Sequence, residues 1–268
     1  MHPIEHLRYV ARATGADPAA VAAEAADALV QMARMQPAGL VPACRRLIDR
    51  HLVAGPVWWL SAKMLREEDP VVAGRQAAQA LEGDPTGRHL ADALPDSPTA
   101  VVIGWPDVVT DALRRRGDVE VLVVEWRSEG AQLVHRLRDR DHEAQLVLES
   151  GVGPAAVVAD VVLIEALAAG PAGVLAVPGS LAAAAVAAHQ QVPVWAVTGV
   201  GRVLPGPLWD AMLARLDASG EEPWERSVEV VPADLISQVV GPDGVQETGE
   251  GLLNATCPAA PELFRVAG

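Results

Sequence analysis

The sequence predicts an α/β protein: an N-terminal helical domain followed by a C-terminal Rossmann-like parallel sheet with helices on both faces. Three observations carry this expectation. Apolar runs at 100–103 and 161–164 read as strands buried on both faces, and further strands are read at 119–125 and 144–148. Helix-length segments separate these runs, which gives the βαβα alternation of a parallel sheet with right-handed crossovers. The first 94 residues, ahead of that alternation, read as helical throughout.

Taken in order, Asp17 is an N-cap followed by Pro18 at the first helical position, and an alanine-rich amphipathic helix runs from there to Met35 before Pro37-Ala38-Gly39 breaks it. Further helices are expected at 42–51, at 56–68, where Trp58, Leu60, Met64 and Leu65 form an apolar stripe, and from Asp69-Pro70 to near Gly83. The segment 82–98, with Gly83, Pro85, Gly87, Pro95 and Pro98, suits a linker or an interrupted helix. A boundary placed there divides the chain into a helical domain, 1–94, and a Rossmann-like domain, 95–268.

Within the second domain, helices are expected at 106–116, 130–140 and 154–159. Its centre is the stretch 159–198: the strand 161–164, a turn at Gly170-Pro171-Ala172-Gly173, a second apolar run ending at Pro178-Gly179-Ser180, a helix at 181–190 and a strand at 194–198. These strands are read into one parallel sheet. After them come a helix or ordered loop at 205–216, a short strand at 228–231 and the start of a helix at 232–237. The turn-rich tail from Gly241 receives no assignment.

Composition excludes several classes. A formal charge of −14, with Lys63 the only lysine, argues against a nucleic-acid or anionic-membrane surface, because phosphates are held by clustered cations. No apolar run reaches the length of a bilayer span, and His2, Glu5, His6 and Arg8 interrupt any secretory h-region, so a cytoplasmic protein is expected. Cys44 and Cys257 stand far apart in no metal-like spacing and read as reduced thiols. A Walker A loop, a G-x-G-x-x-G after the first strand, a nucleophile elbow and an H-E-x-x-H are all missing. His135 and His142 have no acidic or cysteine partner at ligand spacing, and His189 is explained by a helix C-terminus. No metal or cofactor is expected.

What remains is a set of polar residues at strand ends. Glu125 and Arg127 follow the second strand, Glu149, Ser150 and Gly151 the third, Glu165 the fourth, and Gly179 and Ser180 precede a helix. In a doubly wound sheet such loops gather along one edge. Arg127 could grip a phosphate or carboxylate as a fork, and the free N–H groups after Gly179 could cradle an anion. The alternative is that Arg127 simply pairs with Glu125 or Glu129 at the surface. The candidate ligand-binding set is Arg127, Glu125, Ser150, Gly151, Glu165, Gly179 and Ser180.

The order VVEWRSEG, LVLESGVG, ADVVLIEAL, PGSLAAAAVAAHQQVPVWAV and VEVVPADLI resembles the superfamily of translation initiation factor 2B α/β/δ subunits, methylthioribose-1-phosphate isomerase and ribose-1,5-bisphosphate isomerase. The family's Glu-x-Arg-Pro motif matches Glu125 and Arg127, its Asp-Ser with a short helix matches Glu149-Ser150, and its Gly-Ala-Asp strand end matches Glu165-Ala166-Leu167. Its Lys-Ile-Gly-Thr helix start falls on Val177-Pro178-Gly179-Ser180 and its late Asp-x-Thr-Pro-Pro on Glu229-Val230-Val231-Pro232. The fragment AGPVWWLSAKML is similar to an Arg-Pro-Thr-Ala-Val segment with Gly55 in place of the arginine. The resemblance spans 54–237.

Isomerases of this family move protons with a cysteine after the first α/β strand and the aspartate of Gly-Ala-Asp. Here Trp105 takes the cysteine's place, and Leu167, or Ala166 if the gap is drawn earlier, takes the aspartate's; neither exchanges a proton. The family's Asn-Lys pair is replaced by Ala176-Val177, so no catalytic residue is assigned. The resemblance implies a dimer or paired subunit, and the leading expectation is a non-catalytic binding protein for a phosphorylated metabolite, a sugar phosphate or nucleotide, held at Arg127 and Gly179-Ser180. An aldose–ketose isomerase with Glu165 as a relocated base is the second expectation. A ligand-free structural subunit is the third, with Trp105, Leu167 and Val177 filling the old cleft; it predicts no cavity between the strand ends.

Overall fold

The structure, a computed structural model, describes residues 17–264; the reading of His2, Glu5, His6 and Arg8 lies outside these residues. Five α-helices precede the first strand among the described residues: α1 (Pro18–Met35), α2 (Leu40–Arg50), α3 (Gly55–Arg66), α4 (Pro70–Glu82) and α5 (Thr86–Ala93). The starts of α1 and α4 are where the sequence places them. Asp17 accepts the N–H of Ala20 at 3.0 Å, and Asp69 accepts those of Val71 and Val72 at 2.8 and 3.2 Å, each followed by proline in the first turn. Such caps satisfy amides that the helix leaves unpaired and contribute about 1 kcal/mol apiece.

The strands are β1 (Thr99–Ile103), β2 (Glu120–Val124), β3 (Ala144–Val147), β4 (Val161–Glu165), β5 (Ala168–Gly170), β6 (Gly173–Ala176), β7 (Val194–Val197), β8 (Glu229–Pro232), β9 (Gln238–Gly241) and β10 (Gly244–Glu247). Seven form one sheet in the order β10-β9-β7-β4-β1-β2-β3, parallel except for β10, which runs antiparallel to β9. Interleaved with them are the helices α6 (Asp107–Leu113), α7 (Glu129–Arg138), α8 (Val152–Val158), α9 (Ser180–His189), α10 (Gly206–Asp217), α11 (Thr248–Leu253) and α12 (Pro261–Phe264).

Alternation along the strands divides the sheet between two apolar layers. Val101, Ile103, Leu122 and Val124 face α8, α9 and α11, whereas Ala100, Val102, Val121 and Val123 face α5, α6 and α7. The interrupted-helix reading of 82–98 is therefore the one the chain adopts, and Leu90, Ala91 and Leu94 of that segment pack on the parallel sheet.

Two expectations are corrected. The second apolar run does not join the parallel sheet: Pro171-Ala172 forms a two-residue connection between β5 and β6, and β6 then pairs antiparallel with β8 in a separate three-stranded sheet. An apolar run has the same signature in either sheet, and only the tight connection distinguishes them. The helix expected at 232–237 is a single 3₁₀ turn, Ala233–Leu235, after which the chain re-enters the main sheet as β9. The small sheet buttresses the N-terminal helices. One apolar cluster runs from Leu29, Ile48, Trp58 and Met64 into Leu175, Leu208, Trp209 and Leu263.

Candidate functional site

From β1 the chain builds β2 and β3 to one side of the sheet, then crosses to place β4, β7 and β9 on the other. The carboxyl ends of β1 and β4 thus flank a topological switch point, where loops diverge and leave a crevice. A cavity of about 490 Å³ lies there. Its lining includes Trp105 and Asp107 after β1, Trp126, Arg127 and Glu129 after β2, Glu165 and Leu167 around the end of β4, and Val177 and Ser180 before α9. The helical part contributes Asp17, Arg50 and His51.

Beneath this cavity is a buried ion cluster centred on Arg202, which is 1% exposed. Its Nη1 lies 2.9 Å from Glu165 Oε1 and donates to the Ala166 carbonyl at 2.6 Å, while Nη2 lies 3.5 Å from Asp17 Oδ1. The second Glu165 oxygen accepts the N–H of Val109 in the first turn of α6 at 3.0 Å. Burial pushes the Glu165 carboxyl upward from its ordinary pKa, against the opposing pull of Arg202. Gly55 supports this arrangement. Its N–H donates to the Leu167 carbonyl at 2.9 Å, and a β-carbon there would come within 2.9 Å of that oxygen and 3.1 Å of the Arg202 backbone.

Asp107, at the start of α6, keeps solvent contact at the cavity. Its carboxyl is pushed up to about 6 by desolvation first and then by the Glu165 and Asp17 carboxylates, with Arg202 and Arg114 acting in the opposite sense. Glu129 is likewise shifted upward, mainly by desolvation; Arg127 and the Trp105 N–H act against it.

Of the seven residues expected to bind ligand, Arg127, Glu165 and Ser180 line the cavity, and Glu125, Ser150, Gly151 and Gly179 do not. Glu125 accepts the N–H of Ala131 at 3.0 Å and so caps the start of α7. Ser150 is exposed beyond the edge strand β3. Arg127 is exposed, and its guanidinium lies 5.0 Å over the Trp126 ring.

The start of α9 corrects the picture of free amides after Gly179. Gly179 adopts φ +96°, a conformation suited to glycine, and the carboxylate of Glu229 sits at the helix start, accepting the Leu181 N–H at 2.7 Å while the Ser180 N–H donates to the Val177 carbonyl at 3.3 Å. An anion does sit on this helix start, and it is the protein's own.

Sequence reasoning missed Asp17 as a site residue, along with Arg50, Asp107, Glu129 and Arg202. Asp107 had a legible signal, an acidic residue opening a helix directly after a strand. Arg202 had none. Cys44 and Cys257 are free and buried, neither lines the cavity, and burial pushes both thiols up to about 12. Among the described residues no cluster of potential metal ligands occurs, and no helix is long and apolar enough to cross a membrane.

A helical N-terminal part on a mainly parallel seven-stranded sheet, with its crevice at the switch point, defines the class of fold seen in initiation factor 2B subunits. The Pyrococcus horikoshii OT3 translation initiation factor eIF-2B superimposes with a TM-score of 0.74 at 13% identity, over 91% of this chain and 96% of that one. The eIF2B beta subunit from Chaetomium thermophilum gives 0.71 at 17% identity, over 97% and 91%. A chain of the tetrameric eIF2B-beta2-delta2 complex from C. thermophilum gives 0.69 at 16%, over 93% and 92%. No protein-family model and no curated protein matches the sequence.

Proposed function

We propose that this chain is an initiation-factor-2B-like cytoplasmic protein that has lost proton-transfer chemistry and holds a small phosphorylated metabolite, a sugar phosphate or nucleotide, at the switch-point cavity while acting as a dimer or paired subunit. The observation that carries this reading is the open cavity itself, with Arg127 on its wall and Trp105 and Leu167 in the places of the family's cysteine and aspartate. Its volume suits a small ligand, and an open cavity speaks against the ligand-free subunit, whose cleft would be filled. Arg127 and Arg50 supply the groups for a phosphate, because the amides at α9 are already taken.

The experiment is a calorimetric titration of the protein with sugar phosphates and nucleoside monophosphates. Sub-millimolar binding that disappears in Arg127→Ala is expected; no binding, or binding indifferent to the substitution, refutes the reading. The isomerase alternative draws support from one observation: Glu165 lines the cavity and burial raises its affinity for a proton. Against it, both oxygens of Glu165 are engaged, by Arg202 and by Val109. Sugar-phosphate turnover abolished by Glu165→Gln would establish the alternative.

A further inference from the structure

The charges around the cavity are unevenly distributed. Asp17, Asp107 and Glu165 lie around one buried guanidinium, that of Arg202, which only Glu165 meets closely; Arg114, which is not on the lining, also acts on Asp107, and Arg50 lines the cavity. The start of α9 offsets nothing, because the partial positive charge of its amides is already matched by Glu229. Arg127, by contrast, lies on the wall with its guanidinium exposed beside Trp126. A phosphate near Asp107 would meet like charge, so the anionic end of a ligand belongs at Arg127. The floor is left with negative charge and a hydrogen-bond acceptor, and the ligand group that answers both is an ammonium.

We infer that the cavity selects an aminated phosphorylated metabolite, an amino sugar phosphate or a similar zwitterion, with its phosphate on Arg127 and its ammonium against Asp107. This rests on the reading of the cavity as a phosphorylated-metabolite site. A neutral sugar hydroxyl donates to Asp107 without cancelling charge, whereas an ammonium does both. Desolvation is the first cause of the upward shift of Asp107, and the Glu165 and Asp17 carboxylates add to it.

The test compares two probes that differ at one substituent, glucosamine 6-phosphate and glucose 6-phosphate, titrated calorimetrically into the full chain at pH 7.5. The amino sugar binds at least tenfold tighter, and Asp107→Asn, which keeps the shape and removes the charge, brings the ratio of the two affinities close to one. Equal affinities that both vanish in Arg127→Ala overturn the selectivity and leave the phosphate site standing. Tighter glucose 6-phosphate, or a preference that survives Asp107→Asn, overturns it as well. No binding of either probe removes the selectivity together with the reading it rests on.

Discussion

Arg127 and Arg202 carry the same side chain in opposite surroundings. Arg127, on the wall of the cavity, is exposed and rests on Trp126. Arg202, behind the floor, is 1% exposed and is held by Glu165, the Ala166 carbonyl and Asp17. A buried guanidinium is retained only where partners compensate its lost hydration, so the floor is a structural device whose loss costs stability. An exposed one costs little to keep and is available to a ligand. The difference separates a residue that builds the cavity from one exposed on its wall.

The sharpest way to break this comparison is Arg202→Met. It leaves Glu165 buried without its counter-charge and is expected to cost about 3–5 kcal/mol in urea denaturation, with the double variant Arg202→Met/Glu165→Gln recovering part of that loss. Next is Gly55→Ala, whose β-carbon has no room beside Leu167 and Arg202; overpacking of this kind costs about 1–3 kcal/mol, read in the same experiment. Glu229→Ala uncovers the start of α9 and costs about 1 kcal/mol, the typical value of a lost N-terminal cap.

Asp107 supplies a pH test. Its pKa is raised from 3.8 to about 6, so the folded state binds the proton more tightly than the unfolded chain does. The stabilisation is fully present below pH 3.8 and is lost as pH rises through about 6. Thermal melts across that window should show the wild-type protein losing stability relative to Asp107→Asn. A difference between the two that does not change with pH would contradict the assignment. The smallest expected effect on stability is that of Arg127→Ala, within about 0.5 kcal/mol, whereas the proposed function predicts that the same substitution abolishes binding of the phosphorylated ligand.

The parallel strands were legible because β1, β2 and β4, covered on both faces, appear as uninterrupted apolar runs. The small sheet was not, since Val174 and Leu175 are as apolar as any strand of the main sheet and hydrophobicity carries no pairing information. The four-residue strands β9 and β10 are too short for a periodic signal, and their turn at Pro242-Asp243 was the only clue. Of the cavity lining, Arg127, Glu165 and Ser180 were legible because strand ends and helix starts converge at a switch point. Arg202 could not. Among glycines and valines in a loop it looks like a surface residue, and one of its partners, Asp17, is 185 positions away. Nor does local sequence reveal that Glu229, 48 positions from Leu181, occupies the amides there.

The central claim is that this cavity binds a phosphorylated ligand without transforming it. Proton NMR of glucosamine 6-phosphate and of glucose 6-phosphate, each incubated with the protein, tests both halves at once. The account predicts saturation transfer from protein to sugar that is lost in Arg127→Ala, with the sugar spectrum unchanged over hours. Absence of saturation transfer for both sugars, or growth of ketose signals that Glu165→Gln abolishes, would contradict it.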